Sequence, residues 1–517
     1  MAYTIGFSSG FYSVGAEDEK ESLMTMPRKL FKGAIEGVNF TQIDMESITE
    51  LKEPYLKDGI RRMRKLGLDF GFHGESYAMG GGEKPMGMLD SSIEADYIHS
   101  HQRLIQHIKG CGDLGGKFVN VHPSETTPFP RLAKDLQPTN LVDPWGRSLR
   151  KFLEENPHLL SWAIEQDSIN DLMRTEFRIS SEEDIFENLK RFYLAQKNID
   201  KIPSDGEIME EARERHKKEL KNLLLSFISS SGLIYGAERI SYIIIAKWMQ
   251  ENKDTLWQSI VGKTIPDNKL LEKNFDWVPA VSAKYIWGHF KPKDTGKYED
   301  PMPLLQKYKI IFVFETQMGQ AGVEGLFRLT RPRDMVFLCK SIGSNFVAVC
   351  FDFEHVLSQN IDPQKEIESI PYGFANFIRV CHLGWPTPHI PAHVPIPLGS
   401  EAQYYLYERL YELRKKGMKD AWFIYERASA ARGTTILAMR MMKQFLEKDV
   451  LPKELPLEFF GMDERGPNVK RQEVAIREHF LDPLKGMLVF PEEEYTFLSK
   501  TATEKGKAEV WKKEQFR

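Results

Sequence analysis

Residues 345–355 read Asn-Phe-Val-Ala-Val-Cys-Phe-Asp-Phe-Glu-His. The run from Asn345 to Phe351 is apolar and rich in β-branched and aromatic residues, so it reads as a strand, and it ends on two ionisable side chains, Asp352 and His355. Seven further runs have the same character: Tyr3 to Phe7, Gly37 to Ile43, Asp69 to His73, Lys117 to Val121, Lys309 to Phe314, Phe374 to Cys381 and Ala421 to Tyr425. Segments between them read as amphipathic helices, among them Lys57 to Leu66 and Ser400 to Lys416, the latter stopped by Gly417. Strands alternating with helices imply βαβ units and a parallel sheet. Eight of them predict closure into a (β/α)₈ barrel, with an open doubly wound sheet as the competitor. No Gly-x-Gly-x-x-Gly turn follows the first strand, which counts against the dinucleotide-binding form of that competitor.

Strand starts recur every 30–50 residues or so, except that about 190 residues separate the fourth strand from the fifth. That interval is charged and helix-prone at Ser148 to Glu155, Ser181 to Gln196, Gly206 to Ser229 and Tyr235 to Gln250. The expected organisation is barrel over 1–125, a mostly helical insertion over 126–300 at the strand-end face, barrel again over 301–450, and a C-terminal extension over 451–517. A closing helix is expected near Thr435 to Glu447. The charge run in the insertion reads as a solvated helix face, and the sequence names no partner for it.

The chain has 517 residues and a formal net charge of −4, which argues against a surface given over to a polyanion and leaves local basic patches open. Its four cysteines, Cys111, Cys339, Cys350 and Cys381, form no C-x-x-C pair, so free core thiols of a reducing compartment are expected. No basic segment followed by an apolar one opens the chain, and no apolar run approaches the roughly 20 residues of a membrane-spanning helix. A cytoplasmic protein without membrane contact is the resulting expectation.

What carries chemistry is where the ionisable residues fall. The third strand ends at His73, the fourth at His122, the fifth at Glu315, the sixth at Asp352 with His355 beyond it, the seventh at His382 and the eighth at Glu426. In a parallel barrel these ends converge on one face, the face where active sites are built. Any one of them alone reads as a structural residue. Together they would bury several carboxylates around one axis, which is costly without a compensating cation. Mixed carboxylate and imidazole ligands suit Zn²⁺ first, with Mn²⁺ or Fe²⁺ as alternatives, over Ca²⁺ or Mg²⁺.

The pattern resembles the xylose isomerase-like barrel superfamily, which holds sugar isomerases and epimerases as well as the endonuclease IV family. The likeness covers the eight strands and their ends, and neither the insertion nor the tail. In the sugar epimerases, by this resemblance, one metal is held at the positions of Glu315, Asp352, His382 and Glu426. In endonuclease IV-like members the first of these bridges to a second metal at the positions of His73 and His122, and His-Gly-Glu-Ser-Tyr and Val-His-Pro-Ser are similar to that family's motifs. A third metal there uses the position of His355 and an Asp-x-His after the seventh strand. His393, followed by Leu398-Gly399, is similar to that motif's histidine, but Pro391 stands where the aspartate would be, so His389 or a water would have to substitute.

The resemblance implies two chemistries. The first expectation is a hydrolase with two or three metals: an activated hydroxide attacks a phosphodiester, in a nucleic acid or another substrate, with Glu315 bridging and His355 assisting the leaving oxygen. The alternative is a sugar or sugar-phosphate isomerase or epimerase with one metal, in which Glu315 and Glu426 transfer a proton and His355 binds a hydroxyl. Glu315, Glu426 and His355 are the catalytic candidates, Glu426 as a proton-transfer group in the isomerase alternative. A third class, a metal-bearing barrel acting as a binding module with the insertion as its partner surface, also remains open.

Overall fold

The computed structural model describes residues 2–9, 37–45, 47–52, 56–74, 88–124, 140–174, 177–196, 202–230, 237–271, 276–316, 328–387, 390–426 and 432–462. Its strands are β1 (Thr4–Ser8), β2 (Phe40–Asp44), β3 (Asp69–His73), β4 (Phe118–Val121), β5 (Ile311–Glu315), β6 (Val347–Asp352), β7 (Ile378–His382), a hairpin of β8 (Trp385–Thr387) and β9 (Ile390–Val394), and β10 (Trp422–Tyr425). β1 to β7 and β10 close into one barrel, β2 and β10 flanking β1, and every pairing in it is parallel. This is the (β/α)₈ barrel expected from the eight runs.

Where the strand limits differ from expectation, a local stop signal explains it. Lys309 takes a left-handed conformation (φ 56°) as the cap of helix Pro301–Tyr308, so β5 starts at Ile311. Residues Phe374–Phe377 form a 3₁₀ turn behind Gly373 (φ 82°), not the first half of a strand, and β7 starts only at Ile378. The antiparallel hairpin β8–β9 is absent from the sequence reading, because its Pro-rich sequence, Trp-Pro-Thr-Pro-His-Ile-Pro-Ala-His-Val, reads as loop.

Inside the barrel, Phe40, Phe118, Val313, Ala348, Cys350, Val380 and Ile424 form a core separate from the larger one between sheet and helices. At its floor the rings of Phe40, Phe118 and Trp422 meet at centroid distances of 5.2–5.8 Å. Room for them comes from glycine: a Cβ on Gly71 would stand 2.7 Å from the Phe118 ring, and one on Gly6 would stand 2.9 Å from that of Phe40. Because side chains alternate along a strand, the residues two and four places beyond this floor also face inward, higher up. Phe40 is thus followed by Gln42 and Asp44, Phe118 by Asn120 and His122, Val313 by Glu315, Val380 by His382, and Ile424 by Glu426.

Between β4 and β5 the described residues are almost wholly helical, including Leu149–Glu155, Glu182–Ala195, Asp205–Ser230, Ala237–Glu251 and Val278–Phe290. The last two pack on the segments that follow β3, β4 and β5. Ser282 Oγ donates to Asp90 Oδ2 (2.8 Å), Tyr285 donates to the Val142 carbonyl (2.8 Å), and Arg328 grips both Glu238 oxygens (2.9 and 2.6 Å). The four cysteines are buried and unpaired, as expected from the lack of a C-x-x-C pair. Among the described residues no helix is long and apolar enough to cross a membrane. Most of the C-terminal extension, His389, and the His393 side chain lie outside the described residues.

Candidate metal centre at the barrel mouth

Glu315, Asp352 and His382 are the last residues of β5, β6 and β7, and Glu426 follows β10 directly. Strand register sets Asp352 beside His382. The imidazole of His382 is the hub: its Nδ1 lies 3.0 Å from Glu315 Oε1, 3.2 Å from Asp352 Oδ2 and 3.5 Å from Glu426 Oε2. Glu315, Asp352 and His382 are at most 1% exposed, while Glu426, at 9%, forms the outer lip. One ligand atom from each of the four lies within 4.8 Å of the other three.

Asp352 is held in place by the start of helix Phe353–Ser358. Its Oδ1 caps that helix by accepting the His355 N–H (2.7 Å), which turns Oδ2 toward His382. His355 donates from Nδ1 to the Thr316 carbonyl (2.8 Å), so in the neutral ring the lone pair is on Nε2.

The two other histidines meet the same glutamate from the opposite side. His73 Nε2 is 3.2 Å from Glu315 Oε2, and its Nδ1 donates to the Gly74 carbonyl (2.9 Å), the bond that orients many metal-binding histidines. His122 Nε2 stands 4.0 Å from Glu315 Oε1, too far for a hydrogen bond, and its buried Nδ1 has no partner among the described residues. His73, His122 and Glu315 also bring one ligand atom each within 4.8 Å of one another.

This crowding governs titration. Burial opposes charge on Glu315, but the neighbouring His382 and His122, with hydrogen bonds from His382 and His73, hold its carboxyl well below the usual range. Burial likewise works against Asp352, and His355 and His382 overcome it. Burial disfavours a proton on His73, yet the bond to and charge of Glu315 lift its pKa to about 9. His382 is raised in the same way, against burial, by the negative groups around it. At His122 burial outweighs the charge of Glu315 and lowers the pKa to about 3. The carboxylates of the cluster thus favour the imidazolium form of His73 and His382. This donor set fits a divalent ion: its ligands are the right types, and His122 Nε2, turned toward Glu315 at 4.0 Å without a hydrogen bond to it, is a group that an ion would engage.

Several polar residues of the centre were not singled out from the sequence. Asn120 Nδ2 donates to Glu315 Oε2, and Gln42 Oε1 meets His382 Nε2 at 3.0 Å. Asp44, paired in register with His73, accepts from the hydroxyls of Ser8 and Ser9. The signal available was the two-residue alternation in Phe40-x-Gln42-x-Asp44 and Phe118-x-Asn120-x-His122. Cys350 lies near Glu315 and His382 as well, but burial keeps its thiol protonated, and it belongs to the apolar layer beneath.

Fold and site together define a (β/α)₈ barrel with a carboxylate–imidazole cluster at the ends of its strands. No family model matches the sequence, and none of the curated proteins does. Among solved structures the chain is similar to L-ribulose 3-epimerase, with 11% identity over 86% of this chain and 96% of that one at a TM-score of 0.38. A D-tagatose 3-epimerase-like protein matches at 12% over 86% and 98% with a TM-score of 0.39. A xylose isomerase-like TIM barrel protein from Mycobacterium smegmatis in complex with magnesium matches at 9% over 87% and 98%, TM-score 0.37. At these identities and scores nothing about activity carries over to this chain.

Proposed function

We propose that this chain is a divalent-metal enzyme acting on a sugar or sugar phosphate as an isomerase or epimerase, with Glu315, Asp352, His382 and Glu426 holding the ion. The observation that carries this reading is the convergence of three carboxylates on His382 Nδ1 within 3.5 Å. That set is complete within the described residues and needs no further ligand from a loop. When bound, the ion would supply Lewis-acid polarisation of a carbonyl and its neighbouring hydroxyl. Isomerisation also needs one group to take a proton from carbon and one to return it, and two glutamates in a buried pocket provide both. Glu315, held ionised, is the base, and Glu426 at the lip is its partner. His355 would accept from a substrate hydroxyl through Nε2.

A second reading, phosphodiester hydrolysis with two ions, is favoured by one specific observation: His73 and His122 face the oxygens of Glu315. Its third-metal form finds less support, since Pro391 replaces a carboxylate. A nucleic-acid substrate belongs to this second reading only. Zn²⁺ or Mn²⁺ fits the donors in both cases.

Elemental analysis of the purified protein, combined with proton NMR of candidate ketoses in D₂O, separates the two. One ion per chain, with deuterium entering beside the carbonyl, supports the isomerase. Two ions, with cleavage of a phosphodiester such as an abasic-site duplex and no exchange into any sugar, would replace it with the hydrolase.

A further inference from the structure

We propose that Gln42 selects which nitrogen of His382 faces the ion, making it a positioning residue of the centre; the inference rests on the metal reading above. Gln42 is fully buried on β2, inward-facing between Phe40 and Asp44. β2 and β7 are not neighbours in the barrel, because β1 and β10 lie between them, so the contact of Gln42 Oε1 with His382 Nε2 at 3.0 Å crosses the interior.

Nothing in the shape of an amide says which end is oxygen, and only its partners decide. Here the decision comes from Asp44. Gln42 Nε2 lies 3.4 Å from Asp44 Oδ1, and a carboxylate only accepts, so the amide nitrogen faces Asp44 and the oxygen faces His382. Asp44 is fixed in turn: Oδ2 accepts from Ser8 and from Ser9 (3.3 Å), and Ser9 Oγ accepts the Asp44 N–H (3.0 Å). The amide oxygen likewise only accepts, so when an ion takes the place of one proton, the N–H that His382 keeps is on Nε2. A neutral imidazole has one N–H. Its lone pair is therefore on Nδ1, the nitrogen that faces Glu315, Asp352 and Glu426. With the other tautomer an N–H would point at the ion and the imidazole would not ligate. The relay from Ser8 and Ser9 through Asp44 to Gln42 is thus the device by which the first two strands orient a ligand on the seventh.

The test uses the full chain, Zn²⁺ alone as the probe, and histidine labelled with ¹⁵N. In the Zn²⁺-loaded wild type, NMR should find the His382 proton on Nε2 and Nδ1 ligated. Gln42→Met keeps length without an acceptor and should weaken Zn²⁺ binding about 10–100-fold in a chelator competition, whereas Gln42→Glu, which keeps an acceptor, should restore it. A merely space-filling glutamine predicts the reverse, since methionine packs better there than a carboxylate. Wild-type affinity in Gln42→Met, while Glu315→Gln still abolishes binding, overturns the proposal alone. A proton on His382 Nδ1 in the Zn²⁺-loaded wild type does the same and does not depend on any variant folding. If the wild type binds no Zn²⁺ that Glu315→Gln removes, the metal reading itself fails and takes this inference with it.

Discussion

β5, β6, β7 and β10 bring Glu315, Asp352, His382 and Glu426 to the mouth, whereas β1 to β4 bring Ser8, Gln42, Asp44, His73, Asn120 and His122. The later half supplies most of the negative charge, and the earlier half answers with histidines, amides and hydroxyls. The difference teaches how a charged cluster is kept in a buried place. Donors and acceptors on one side fix the direction of each ligand on the other, adding only Asp44 to the buried negative charge. Asn120 and His73 on Glu315 and Gln42 on His382 are bonds that join the halves directly.

The hardest break is Glu315→Gln, since both halves meet on that side chain. Activity and ion binding should fall about a hundredfold or more. The metal-free protein should also lose about 3–5 kcal/mol in urea unfolding, because the imidazolium groups at His73 and His382 lose their shared buried partner.

His122→Ala comes next and sharpens the comparison. If the earlier half only supports, the variant keeps one ion per chain and a turnover within a few-fold of wild type. If it holds a second ion, metal content falls by one and activity collapses. Elemental analysis and kinetics on the same sample decide it.

A smaller effect is expected from pH. His73 is protonated below about 9, and an ion bound to it must displace that proton. Affinity at the His73 side should therefore rise with pH and level off above about 9, by up to about tenfold per unit for one released proton. Calorimetric titrations across that range, compared with His73→Ala, measure the slope; an unchanged slope in the variant assigns the proton elsewhere. Smallest of all, Ser9→Ala removes one of the hydroxyls on Asp44 and should cost about 1 kcal/mol of stability, with a milder loss of Zn²⁺ affinity than Gln42→Met.

The two halves also differ in how far the sequence betrays them. Glu315, Asp352, His382 and Glu426 stand out because each interrupts an apolar run at its end, and apolar runs are what strand reading detects. Barrel closure was legible for the same reason. Gln42 and Asn120 lie inside their strands, where a lone amide looks like a blemish in the pattern. Their meaning depends on which strand lies across the interior, and that is a property of the closed ring. The β8–β9 hairpin is hidden because prolines mask strand character, and β7 reads too long because Phe374–Phe377 is as aromatic as a strand while Gly373 starts a turn. Sequence alone also could not choose between the two chemistries, since His73 and His122 serve as ligands in one and as neighbours in the other.

The long interval between β4 and β5 has a consequence for how the molecule comes into being. Val121 and Phe314 are register partners, yet the two strands are separated by about 190 residues of chain. Bringing such ends together costs about 2–3 kcal/mol more in chain entropy than closing an ordinary ten-residue loop. Helices form locally and early, so the helical segment can shorten that distance before the strands meet. Contacts such as Tyr285 to Val142 and Ser282 to Asp90 tie its far end back toward β4. During synthesis, His73 and His122 emerge long before Glu315, and the carboxylate they both face is missing until the intervening helices have been made. Order of assembly, as much as final geometry, is thus written into where this barrel was interrupted.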